Sequence, residues 1–128
     1  MKSALYGLAL AALGAVGPSW AVEPAQSWRV AGKVASFAFT LNCDFRPAGT
    51  RLGGVCVDAS TSDPTIKGGR AHKITRGRID GDTVSWTYVS SFLLSKFDVT
   101  FDGTRRGQDM SGVIHVQGHD GAFTATRQ

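Results

Sequence analysis

From Trp28 to Arg127 the chain alternates apolar and polar residues with few interruptions, and this period of two most restricts its fold. Phe37, Phe39, Leu41, Cys43 and Phe45 share one face of such a segment, while Ala38, Thr40, Asn42, Asp44 and Arg46 share the other. Successive side chains of a strand point to opposite sides of the sheet, so the pattern predicts a half-buried strand. The alternation returns in Phe97, Val99 and Phe101, in Met110, Gly112, Ile114 and Val116, and in Phe123, Ala125 and Arg127. Composition agrees with it: a single glutamate (Glu23) and 16 glycines suit strands and tight turns better than helices.

Turn residues divide the pattern into strands. Pro47-Ala48-Gly49-Thr50 predicts a hairpin into a second strand, Leu52 to Val57. Asp80-Gly81-Asp82 predicts another between Ile79 and Val84, which places Gly77 opposite Trp86 and Thr75 opposite Tyr88 on an apolar face. Arg76, Arg78, Ser85 and Thr87 fall on the other face. Further turns are expected at Asp102-Gly103-Thr104 and at Gly118-His119-Asp120-Gly121, and residues 59–71 form the one long polar loop. With Trp28 to Val34 as the opening strand, the count is eight strands joined mostly by hairpins. A flat meander of eight strands leaves two open edges, and closure removes both. The expected fold is all-β: an eight-stranded antiparallel up-and-down (meander) β-barrel, with an open sheet or two-layer sandwich as the alternatives.

The first 21 residues follow a different rule. Lys2 precedes an apolar run from Ala4 to Val16, Gly17-Pro18 breaks it, and Ser19-Trp20-Ala21 places small residues at −3 and −1 of a cleavage site. That order predicts a secretory signal peptide over residues 1–21 and a single domain over 22–128. The run is too short for the ~20 residues that span a bilayer as a helix. A periplasmic or secreted protein is therefore expected, in a compartment where cysteines oxidise. The formal charge is +4, one unit of it on Lys2, well below the excess of a nucleic-acid binder. Eight strands of ~9–11 residues together with their loops are expected to need more than this chain offers, so no transmembrane barrel is expected.

Cys43 and Cys56 allow one intramolecular pairing, and a hairpin that sets Phe45 against Gly54 brings them face to face. A structural disulfide is expected, against free buried thiols or an intermolecular bridge. His72, His115 and His119 lack metal-ligand spacing, and no nucleophile stands beside any of them, so neither a metal, a cofactor nor catalysis is expected. Asp80, Asp82, Asp102 and Asp120 read as turn residues. Asp58 shares the inward parity of Cys56 and could fix a ligand's polar group near a barrel mouth, or be solvated at a strand end. Lys67, Arg70, His72, Lys73, Arg76 and Arg78 form a basic run that could meet an acidic partner or merely face water. Phe37, Phe39, Phe45, Trp86, Tyr88, Phe97, Phe101 and Phe123 all project to the expected interior, where they either line a cup or fill it. Trp86, Tyr88, Phe97, Phe101 and Asp58 are the expected ligand-binding set.

The segment Gly77 to Trp86, with Phe101-Asp102-Gly103, Met110-Ser111-Gly112 and Gly121 to Arg127, resembles the small exported lipocalin-like (calycin-type) barrels of bacteria. The resemblance covers about residues 28–127. It implies a tryptophan on the first strand stacked on an arginine of the last across the closed end, which Trp28 and Arg127 would supply; Gln26-Ser27-Trp28 stands where that family has Gly-x-Trp. Cys43-Asp44-Phe45-Arg46 is also similar to the first cysteine region of bacterial periplasmic inhibitors of secreted metalloproteases, eight-stranded barrels as well, although the cysteine spacing differs. The expected function is non-enzymatic: an exported barrel that binds a small apolar or amphipathic ligand at its open end. The alternative is a protein-binding barrel, an inhibitor or envelope accessory factor, that works through its loops and basic face.

Overall fold

A computed structural model describes residues 25–128, so the signal-peptide expectation for residues 1–21 lies outside the described residues. Eight strands follow one another: β1 (Gln26–Val34), β2 (Phe37–Ala48), β3 (Arg51–Thr61), β4 (Ala71–Asp80), β5 (Thr83–Phe92), β6 (Ser95–Arg106), β7 (Asp109–Val116) and β8 (His119–Arg127). Each pairs antiparallel with its sequence neighbour, and β1 pairs with β8, so the sheet closes into a barrel. Six of the seven connections are two-residue turns; the exception, residues 62–70, joins β3 to β4. Asp63 orders that loop by accepting bonds from the Thr65 amide (2.9 Å) and hydroxyl (2.7 Å), which hold its carboxyl below the usual carboxylate range.

Inward residues form one continuous core. Trp28, Phe45, Trp86, Phe101, Val30, Val84 and Ile114 are fully buried, while the outward positions carry Arg29, Asp44, Lys73, Asp98 and Asp102. Cys43 lies directly opposite Cys56 in the β2–β3 ladder, and the two form a disulfide. Three glycines sit across from rings, in the pairs Phe45–Gly54, Trp86–Gly77 and Phe123–Gly112. A Cβ at Gly54 or Gly112 would lie 1.9 Å from a carbonyl oxygen of the neighbouring strand, and one at Gly77 would lie 2.1 Å from another. These glycines let adjacent strands crowd together where the sheet bends sharply, a closer approach than any side chain permits.

The structure corrects several local expectations. A bulge between Ile74 and Arg76 sets Ile74, not Thr75, opposite Tyr88; His72 and Ile74 point inward as a result. Asp102-Gly103 is not a turn but the middle of β6, where Gly103 faces Gly112 and leaves room for the Phe123 ring. The turn into β8 is Gln117-Gly118, one step earlier than the glycine count suggested, so His119, Asp120 and Gly121 lie in the strand. The long loop is shorter than residues 59–71 because β3 continues to Thr61 past a bulge beside Leu41. Phe37 is not a core residue: it stands at the rim, 38% exposed.

Candidate functional site

The two ends of the barrel are built differently. At the end where β1 begins, Trp28 is fully buried and its indole N–H donates to Gln26 Oε1 (3.1 Å). The guanidinium of Arg105, from β6, lies 5.7 Å from the Trp28 ring centroid, and Arg127 is the register partner of Trp28 on β8. The resemblance points to Arg127 for this stacking and not to Arg105, whose neighbourhood reads as turn in the sequence but belongs to β6. All three turns at this end place glycine in the left-handed region: Gly49 (φ 66°), Gly81 (φ 63°) and Gly107 (φ 65°).

Above that plug the rings interlock. Trp86 stacks on Phe101 (4.7 Å, 7°) and meets Phe45 and Phe123 edge-on at 4.8 and 5.5 Å. Its buried indole N–H has no acceptor among the described residues, a cost of about 1–3 kcal/mol. Aromatic pairs contribute about 0.5–1.5 kcal/mol each beyond area burial, enough for three contacts to offset it. Trp86 and Phe101, expected to touch ligand, are therefore core residues with 0% exposure.

The opposite end is open. Val34, Phe39, Phe97 and Val116 are only partly buried there, and a chain of rings leads outward from Phe101 through Phe39 to Phe37. Asp58, 15% exposed, anchors a polar cluster at this level. Its Oδ1 lies 3.0 Å from His72 Nε2, and its Oδ2 lies 3.5 Å from Arg70 Nε. His72, 7% exposed, stacks on Tyr88 (4.6 Å, 16°). Burial pushes the Tyr88 phenol far above its usual pKa, the Asp58 carboxylate adds to this, and Arg70 opposes it; Tyr88 stays a neutral donor. Of the expected ligand set, Asp58 and Tyr88 thus meet through His72, and Phe97 is partly buried at the same end. His72 was missed as a member because the Ile79–Val84 register, extended without the bulge, assigns β4 the wrong inward positions. The parity of His72 with Ile74 was the available signal.

The Asp58–His72 pair has half of the geometry of a nucleophile-activating dyad. No hydroxyl hydrogen-bonds to His72 among the described residues, and its ring face is spent on Tyr88. His115 makes a second carboxylate contact on the outer wall. Its Nδ1 lies 2.7 Å from Asp120 and its Nε2 lies 3.1 Å from Asp102, which accepts a bond from the Ser85 hydroxyl (2.7 Å). The hydrogen bond to Asp120 leads the causes that raise the His115 pKa, with Asp102 adding to it. Asp102 and Asp120 are thus cross-strand partners of a histidine, not turn residues. A depression of about 400 Å³ also lies on the flank, between small outward residues such as Ala31, Ala38, Thr40 and Ala122.

No family model matches this chain, and no curated protein or solved structure matches it. One further feature separates the two ends. Phe92, Leu93 and Leu94, at the β5–β6 turn of the open end, are 61%, 85% and 101% exposed. Leu93 is in the left-handed region (φ 59°), as are Ala35 (φ 55°) at the β1–β2 turn and Gln117 (φ 48°) at the β7–β8 turn of the same end.

Proposed function

We propose that the protein is a non-enzymatic, exported barrel of lipocalin-like architecture that binds an amphipathic partner through its open end. The carrying observation is the contrast between a filled interior and an exposed apolar rim. With Trp28, Phe45, Trp86 and Phe101 all fully buried, a ligand has no room in the lower barrel. At the mouth, Phe37 and the Phe92-Leu93-Leu94 tip present apolar surface around the Asp58–His72–Arg70 cluster. Natural proteins rarely spend three consecutive apolar residues on water without a partner for them. The polar outward positions, with the apolar set inside, support a barrel immersed in water, since a membrane-spanning barrel carries the reverse pattern. The disulfide is compatible with an oxidising compartment and supports a periplasmic or secreted location.

A second reading keeps the partner a protein and moves it to the basic wall. Arg51 and Arg78 are direct register partners on β3 and β4, and neither has an ion-pair partner among the described residues. Like charges so placed repel, and an acidic partner would relieve them. Dodecylphosphocholine monomers, titrated below the micelle concentration and followed by amide NMR shifts, separate the two readings. Changes should concentrate on Phe37, Tyr88, Leu93 and Phe97. Shifts centred on Arg51 and Arg78 instead would overturn the open-end reading.

A further inference from the structure

We infer that the β5–β6 hairpin tip is a membrane-insertion wedge, which seats the open end of the barrel on the surface of a lipid bilayer. This deepens the open-end reading and rests on it. The first ground is turn chemistry. At the closed end every two-residue turn places glycine at the left-handed position, at Gly49, Gly81 and Gly107. The three two-residue turns of the open end place a side chain there instead, Ala35 (φ 55°), Leu93 (φ 59°) and Gln117 (φ 48°), in a conformation that L side chains other than Asn and Asp rarely adopt. The chain thus gives up local stability to keep a leucine that touches almost nothing within its own fold, being 85% exposed. Of the three strained turns at this end, only β5–β6 uses the position to hold a large apolar side chain in water, and that marks Leu93 as kept for something outside the fold.

The second ground is shape. Phe92, Leu93 and Leu94 stand on a convex finger, with Leu94 fully exposed. A protein partner would need a matching pocket for such a finger, whereas acyl chains close around any convex apolar tip. The third ground is the boundary of the apolar tip. Ser90 and Ser91 precede it, Ser95 and Lys96 follow it, and Ser91 pairs with Lys96 across the ladder. Arg70 is tied to the same stem, with Nη2 3.3 Å from Ser90 Oγ and 3.4 Å from the Ser91 carbonyl. At a rise of ~3.4 Å per residue, the apolar tip ends about 7 Å from this polar and cationic collar. Interfacial segments bury themselves about 5–10 Å into the headgroup boundary, so the collar falls at the level of the phosphates. Asp98, an acid further down the stem, is engaged by Arg76 at 3.8 Å, and Lys96 has no ion-pair partner among the described residues, so its ammonium can meet lipid phosphate.

The test is co-sedimentation of residues 22–128 with phosphatidylcholine vesicles, with and without phosphatidylglycerol. The double variant Leu93→Gly, Leu94→Thr copies the Gly49-Thr50 turn of the closed end and introduces no charge. The intact protein should partition onto neutral vesicles, and several-fold more strongly onto anionic ones, with salt removing that increment only. The variant should lose at least tenfold in partition while its Tm rises by a few degrees, an outcome that a merely structural role for the leucines would reverse. Equal partition of variant and parent overturns the inference. So does a leucine-dependent dimer by sedimentation without vesicle binding. A photo-crosslinker at position 94 that traps one protein in the envelope, with no vesicle binding, also overturns it but leaves the open-end reading standing. Detergent-monomer shifts confined to the closed end would end that broader reading itself.

Discussion

Replacing Trp28 by alanine removes the plug of the closed end, and the structure sets the size of the effect. The side chain is fully buried, and truncation of a buried tryptophan or phenylalanine costs about 3–5 kcal/mol. Part of the loss is polar, since Gln26 Oε1, on a residue only 2% exposed, loses the indole donor at 3.1 Å. Part is shared with Arg105, whose guanidinium lies 5.7 Å from the ring centroid; such a cation–π contact contributes about 0.5–2 kcal/mol. Arg105→Ala alone should cost this amount plus the bond from its Nε to the Gly107 carbonyl (2.9 Å). In the double variant the shared part is lost only once. Urea unfolding of the four proteins should therefore give a coupling of about 0.5–2 kcal/mol, with the double variant more stable than the sum of the singles predicts. In a domain near 100 residues each kcal/mol moves Tm by roughly 4–8 °C, so Trp28→Ala should be evident in a thermal scan as well. Additivity within about 0.3 kcal/mol would show that ring and guanidinium are energetically independent, and would refute the account of this end as a stacked closure.

Gly112→Ala should cost about 3 kcal/mol or more in urea unfolding, because its Cβ would fall 1.9 Å from the Asp102 carbonyl oxygen and 2.5 Å from Gly103 Cα. Gly107→Ala, with open space around it, should cost only the ~1 kcal/mol of a left-handed alanine, and equal losses at the two sites would defeat the close-approach argument. Replacing Cys43 and Cys56 together by alanine should lower stability by about 3 kcal/mol through the freed loop; protein prepared from its own compartment should take up no alkylating agent under denaturing, non-reducing conditions. His115 should titrate above the usual histidine range by NMR, and Asp120→Asn should bring it back down. Because its folded pKa is raised, its contribution to stability is complete below the unfolded pKa and is lost as pH rises through the folded one; a stability profile that rises over that interval in an Asp120-dependent way would contradict it.

Strand count, closure and the disulfide were legible in the sequence because each follows from a local rule. Alternation assigns a face to every residue, two-residue turn signals force neighbours to pair, and the Phe45–Gly54 register brings Cys43 to Cys56 without reference to the rest of the chain. The same parity assigns Asp58, Tyr88 and Phe97 to the interior, with only Asp58 expected near a mouth. Tertiary structure alone decided the remainder. The bulge in β4 turns His72 inward beside Asp58, and a bulge answers the curvature of a closed sheet, which no single strand records. Gly103 reads as a turn residue by type, yet it lies mid-strand because a ring from β8 needs its space. Whether eight inward rings fill a barrel or line a cup depends on the barrel radius and on how closely the strands approach. Gly54, Gly77 and Gly112 settle that by contact with neighbouring backbone, and so the interior is filled and the exposed apolar surface is left at the rim.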